Sequence, residues 1–324
     1  MDMLSEHGLY VSTASEAAAR VRRAFPDGVA SEDARALIGT APPPPSDGGP
    51  DPRSTIVVEV VASSPIDVAT IRAARSRPGG KKPSIEGMLA DGRWQYVTDP
   101  RATGPYTRLA AAIYFVALDA PVPPGELERQ ITWARALLGQ LGRQPATVSM
   151  TAAHAHATAQ AAFRLKATVA DSDVGLMIVA PRGKTFEGRL VWDAVYSAGF
   201  TWGDGDYFHW VPSADTDISQ GIGVGATSGV GYFLPEWIAE HDARADVDGL
   251  EMSFNVPRTW KPEAVFDVMV RAATYMARRL GGTVVARDGT PFDQAAQRAR
   301  VTSIVTAMAA ADLAPGAGVA LQVF

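Results

Sequence analysis

"LEMSFNVPRTWKPEAVFDVMVRAATYMARRLGG", Leu250 to Gly282, changes period once, and that change decides the fold. In its first seven residues Met252, Phe254 and Val256 fall on one side of an extended chain, and Glu251, Ser253 and Asn255 on the other. A strand apolar on one side only belongs to a sheet with helices on one face and an open reverse. From Pro262 the spacing becomes helical. Val265, Phe266, Met269, Val270, Ala273, Met276, Ala277 and Leu280 form one stripe, with Arg271, Arg278 and Arg279 outside it. Gly281-Gly282 supplies a left-handed stop.

Outward from this unit the same logic assigns the second half. Strand Val174–Ala180 precedes a helix over Glu187–Ala198. Strands follow at Tyr207–Val211 and Gly221–Thr227, then the unit above, strand Thr283–Ala286 and helix Pro291–Ala311. The first half runs in a similar order: strand Thr55–Ala62, a short helix at Pro65–Arg75, a loop at Arg75–Pro83, strands at Trp94–Thr98 and Ala111–Leu118. Helix Pro124–Leu141, a β-like segment at Ala146–Met150 and helix His154–Ala170 complete it. Residues 12–38 read as one or two helices, and Ala41–Arg53 (APPPPSDGGPDPR) as a linker without helix or ladder.

The halves also align residue by residue. "IYFVALDAPVPPGELERQITWARALLGQLG" from Ile113 lies over the segment from Met252 at a shift of 139 (252 − 113), and Leu141-Gly142 meets Leu280-Gly281. The first strand and helix match at about 119–120, which places an insertion of roughly twenty residues in the second copy. The expected domains are 54–170 and 171–324, after a helical segment at 1–40 and a linker at 41–53.

Composition bounds the function. At 324 residues, with 47% hydrophobic and 20% charged residues, the chain is a cored protein of about two domains. A net charge of −5 without a basic stripe argues against nucleic acid as partner, and the absence of cysteine removes thiolate chemistry. With acids at the N-terminus and no long apolar run, the expectation is a cytoplasmic protein without a membrane span.

Chemical motifs are weak. His154 and His156 diverge on a helix and lack a nearby carboxylate, and His209 alternates with Phe208, so neither pattern specifies a metal site or an acid–base pair. The run Gly221–Gly231 (GIGVGATSGVG) lacks the lysine and helix of a phosphate loop. Asp204, Asp206, Asp215 and Asp217 lack calcium-loop spacing. Ser12, Ser63 and Ser149 have no nucleophile elbow, and Trp192 and Trp260 read as core or interface fillers. The expectation is a non-enzyme without a cofactor or metal.

The second half resembles the C-terminal domain of ZipA, a bacterial division protein that binds the tubulin-like FtsZ. The resemblance rests on "DVGLMIVA", "FEGRLVWDAVYSAGF", "WGDGDYFHW", "DGLEMSFNVP" and "FDVMVRAATYMARRLGGTVVARDGTPFDQAAQRAR", in order over about 172–305. It implies an α+β fold of two tandem split β-α-β domains, each an antiparallel sheet with helices on one face, the first a degenerate copy. It also implies a shallow groove on the bare face for the helical FtsZ tail. Positions matching the groove motif are Gly205, Thr227 and Ser253, with Val174, Leu176, Ile178 and Tyr207 as its apolar remainder. Three small residues where the family has large ones remove roughly 5 kcal/mol of contact, at about 25 cal/mol per Å².

In the first half Tyr114, Val116 and Leu118 alternate with Ile113, Phe115 and Ala117, so an apolar outer face is expected there too. The N-terminal helices, the sister domain or an external partner can cover it. The leading reading is therefore a protein- or peptide-binding protein of the division apparatus. Two others stand beside it: a scaffold reused elsewhere, such as a toxin-neutralising immunity protein, and a small-ligand binder built on Asp215–Glu240.

Overall fold

The computed structural model describes residues 48–75, 82–169, 171–202, 207–211, 218–227 and 243–324. The chain divides into two units, one holding residues 171–306 and the other 45–170 with 307–324. The expected helices at 12–38 and most of the inserted segment lie outside the described residues.

In the first half, β1 (Thr55–Ile66), α1 (Val68–Arg75), β2 (Ser84–Met88), β3 (Trp94–Tyr96), β4 (Tyr106–Tyr114), α2 (Pro124–Gly142), β5 (Thr147–Val148) and α3 (Ala152–Thr168) follow in order. The sheet is antiparallel with strand order β3-β2-β4-β1-β5. Helix α2 lies across β1 and β4. Its Gly142 approaches so closely that an added Cβ would stand 2.5 Å from Val60 Cγ2. Ile56, Val58 and Val60 thus share the helix-covered face with Leu109, Ala111 and Ile113, and all six are buried.

In the second half, β6 (Asp173–Val179), α4 (Gly188–Ser197), β7 (Thr201–Trp202), β8 (Phe208–Trp210), β9 (Ile222–Ala226), β10 (Gly249–Asn255), α5 (Pro262–Leu280), β11 (Thr283–Ala286) and α6 (Gln294–Ala310) follow. The strand order is β11-β6-β10-β9-β8-β7, again antiparallel throughout. The fold is α+β in both halves. Helix α5 lies across β6, β10 and β11, and α4 packs on α5. An aromatic cluster closes this core: Trp192 of α4 meets the edge of Phe208 at 5.0 Å and stacks on Tyr196 at 5.7 Å. Two of the aromatics in the stretch around the Gly-Asp turn, Trp202 and Phe208, are therefore core side chains.

Helix α5 buries Val265, Phe266, Met269, Ala273, Met276 and Ala277 as its stripe predicts, adds Val268 and Ala272, and leaves Val270 and Leu280 half-buried. Gly281 sits at φ 70°, and the Gly282 N–H donates to Ala277 O at 2.8 Å, which makes the expected stop. Across α5, Arg298 of α6 pairs with Asp267 and stands 5.4 Å over the Phe266 ring.

The central strands of the two sheets share a register. Ile56 faces Ile113 in the first, and Leu176 faces Met252 in the second, at offsets of 120 (176 − 56) and 139 (252 − 113). The middles differ. In the first half β2 neighbours β4 while β3 takes the edge; in the second β7, β8, β9 and β10 form a meander.

Candidate functional site

The side of the second sheet turned away from the helices is the candidate surface. Alternation and register fix its occupants row by row. One row runs Gly175, Ser253, Gly223, His209 and Thr201, across five strands. The next runs Val285, Met177, Glu251 and Gly225, and Tyr207 lies over Gly225. On the other flank Asp173 faces Asn255. The result is a shallow trough across the strands with Ser253 and Gly223 at its middle, Met177, Val285 and Tyr207 along one side, and the Arg287 side chain standing over buried Gly175. An added Cβ at Gly223 would find only Ser253 O, at 4.0 Å, so the floor there is bare backbone with room above it.

Both flanks carry polar fixings. Arg287 Nε donates to Glu251 Oε1 at 2.6 Å, and the two side chains form an ion pair that remains over a third exposed. Asn255 Nδ2 donates to Ser172 Oγ at 2.8 Å and Asp173 Oδ1 at 2.9 Å, while its own oxygen accepts from the Arg258 N–H at 3.1 Å. Arg300 donates to the Asp171 carboxylate at 2.7 Å and holds that carboxyl below the usual range. Tyr207 and His209 lie side by side, ring centroids 6.4 Å apart.

The sequence-derived site residues divide by strand parity. Val174, Leu176 and Ile178 pair with Phe254, Met252 and Leu250, all six of them buried on the helix side. These three are core residues, which corrects the expectation that they line the groove. Their neighbours Gly175, Met177 and Val179 face outward instead. Ser253 sits half-exposed on the floor, Tyr207 is half-exposed on the wall, and exposed Thr227 donates its N–H to Gly249 O at 3.1 Å. Gly205 lies outside the described residues.

In the first half a second correction applies. Strand β4 ends at Tyr114; Val116 forms a bridge with Pro121, and the Ala117 N–H donates to Ala120 O at 2.9 Å. Tyr114, Val116 and Leu118 therefore do not share one sheet face, although Tyr114 and Leu118 are both exposed. The outward face there includes Val57 and Ala112 in one row and Ala110 in the next, all three buried.

Sequence reasoning missed Met177, Val179, Val285, Gly223 and His209 as residues of the candidate surface. The signal was present in the alternation Asp173, Gly175, Met177, Val179; what was lacking was the register that ties it to Ser253. Among the described residues no cluster of three His, Cys, Asp or Glu is placed to hold a metal. His156 Nδ1 meets Val122 O at 2.9 Å, a structural contact. The described part of the glycine run forms strand β9 over Ile222–Ala226. No helix among the described residues is long and apolar enough to cross a membrane.

Residues 173–301 match the family of the ZipA C-terminal FtsZ-binding domain. The second half is similar to this family. The match opens on the first residue of β6 and ends inside α6, so this ZipA-type domain takes in the whole second sheet together with α4 and α5. The trough is thus a surface of the ZipA-type domain, and the first half lies outside the match. Among curated proteins none matches the chain.

Proposed function

We propose that the protein is a non-catalytic binding protein whose second-sheet trough docks a segment of a partner protein, with the C-terminal tail of FtsZ as first candidate. The observation that carries the reading is the open face itself. In a domain similar to the FtsZ-binding family, half-exposed Met177, Val179, Val285 and Tyr207 stand beside a floor of Ser253 and Gly223. Apolar side chains at the wall supply the favourable area, and a backbone floor lets a helix or extended segment approach closely. Apolar contact and close backbone approach are the chemistry of binding.

The small floor favours a second reading, in which the scaffold is reused for another protein, such as a toxin neutralised by an immunity-type binder or the target of a different adaptor. Ser253 and Gly223 offer little apolar area, so any apolar gain rests on the wall. Calorimetric titration of an FtsZ tail peptide separates the two. Saturable binding in the micromolar range, absent for a scrambled peptide, supports the first reading; no binding at high micromolar peptide transfers the assignment to the second.

The first half is read as a degenerate copy of the ZipA-type domain. The common register of Ile56–Ile113 and Leu176–Met252 supports that relation, as does the shared order of helices around it.

A further inference from the structure

The outward face of the first sheet carries a carboxyl group that is nearly buried and, among the described residues, has no cation beside it, unlike Glu251 of the second sheet with its Arg287 partner. Glu86 of β2 faces Ala110 on one side and Tyr96 on the other. It is 6% exposed, and Ala110 and Ala112 beside it are buried. Tyr96 and Tyr114 rise from the flanking strands, each about half exposed, with the Tyr114 side chain near that of Tyr96. The other charged groups on this face, Arg108 of β4 and Glu59 of β1, pair with each other. Among the described residues no cation meets Glu86. Two positions along, Met88 and Trp94 pair across the same strands and line a cleft of about 520 Å³ with Val57, Glu59 and Arg108.

A carboxylate withdrawn from water is stable only beside a positive group or a dense set of donors. Here burial is unopposed and pushes the Glu86 carboxyl up to about 7, while Tyr96 is raised by burial and then by the Glu86 charge. Among the described residues this site lacks a cation, and the tyrosine faces supply electron-rich walls that cations prefer.

We propose that Glu86, Tyr96 and Tyr114 form a receptor for a cationic side chain, a lysine ammonium or arginine guanidinium, carried on a segment of a partner protein whose neighbouring apolar residue enters the Met88–Trp94 cleft. The cation offsets the desolvation of the carboxylate, and the cleft adds apolar area that a free amine lacks. This site lies on the first half and stands independently of the FtsZ reading. Protons compete with the cation for Glu86, so affinity rises with pH through about 7 and falls below it. Tyr96, Tyr114, Arg108 and Glu59 are the titratable groups that share the face.

The test uses the full chain and three probes: Ac-Ala-Leu-Lys-Ala-NH2, its arginine analogue and its glutamine analogue, with methylammonium as the free-amine arm. Carbon-13 signals of the glutamate carboxyls and ring signals of the tyrosines report binding. At pH 8 the lysine and arginine peptides should move Tyr96 and Tyr114 saturably, lower the Glu86 midpoint, and bind about tenfold more tightly than the glutamine peptide. Methylammonium should bind more weakly than either. Glu86→Gln should erase the preference. Tyr96→Ala, at an exposed position, should weaken cationic peptides several-fold, and it decides the matter if the Glu86 variant fails to fold. Equal binding of lysine and glutamine peptides, or an unchanged preference in the variants, would overturn the proposal.

Discussion

Leu176 lies directly opposite Met252, both fully buried, and one residue further along each strand Met177 and Glu251 face outward as a pair. This parity separates what holds the second domain together from what it offers to a partner. Leu176→Ala should cost roughly 2–5 kcal/mol of stability in urea unfolding, as other buried leucines do. Met177→Glu should change stability by less than about 1 kcal/mol and act on partner binding instead. A reversed order of effects would place the wrong face in the core.

Glu86 should make the first half more stable in mild acid. Its folded-state pKa is about 7, raised from 4.5, so the unfolded chain loses this proton first as pH rises. The stabilisation is complete below about pH 4.5, falls as pH climbs, and is gone above about pH 7, with a size of at most about 3 kcal/mol. Glu86→Gln should flatten that part of the profile in unfolding measured between pH 5 and 8. An unchanged slope would show that the carboxyl is solvated.

Gly142 marks the closest approach of α2 to its sheet. Gly142→Ala would drive a methyl into Val60 and should cost about 1–3 kcal/mol, whereas Gly125→Ala in the same helix meets only the Arg129 side chain at 4.0 Å and should be neutral or slightly stabilising. Thermal unfolding of the two variants gives the comparison directly.

The Glu251–Arg287 pair is exposed enough for water and salt to screen it. Arg287→Gln should cost under about 1 kcal/mol at low salt, and the difference should vanish by about 0.5 M sodium chloride. A larger, salt-independent loss would mean that the pair is buried in solution.

Much of this fold is legible in the sequence because period and punctuation agree. Helix α5 and strand β11 fall on their predicted limits: Pro262 opens the helix, Gly281 closes it, and a β-branched run follows. Strand β2, SIEGM, escapes because its alternation is not apolar against polar. Ile85 and Gly87 face the core, where Gly87 makes room for the Tyr106 ring, and Glu86 is buried on the reverse. The two-residue strand β7 is too short to leave a pattern. The groove was half legible: Ser253 and Tyr207 follow from alternation and from the family match. Val174, Leu176 and Ile178 were misplaced because a strand with apolar residues on both sides does not say which set faces the helices. Cross-strand register decides that, and it is a non-local property.

The most direct test maps an FtsZ tail peptide onto the full chain with methyl- and ring-labelled protein, comparing wild type with Met177→Glu. The account predicts saturable shifts at Met177, Val179, Val285 and Tyr207, small shifts at Leu176 and Met252, and at least a tenfold loss of affinity in the variant. Shifts centred away from those four residues, or undiminished binding by Met177→Glu, would contradict it.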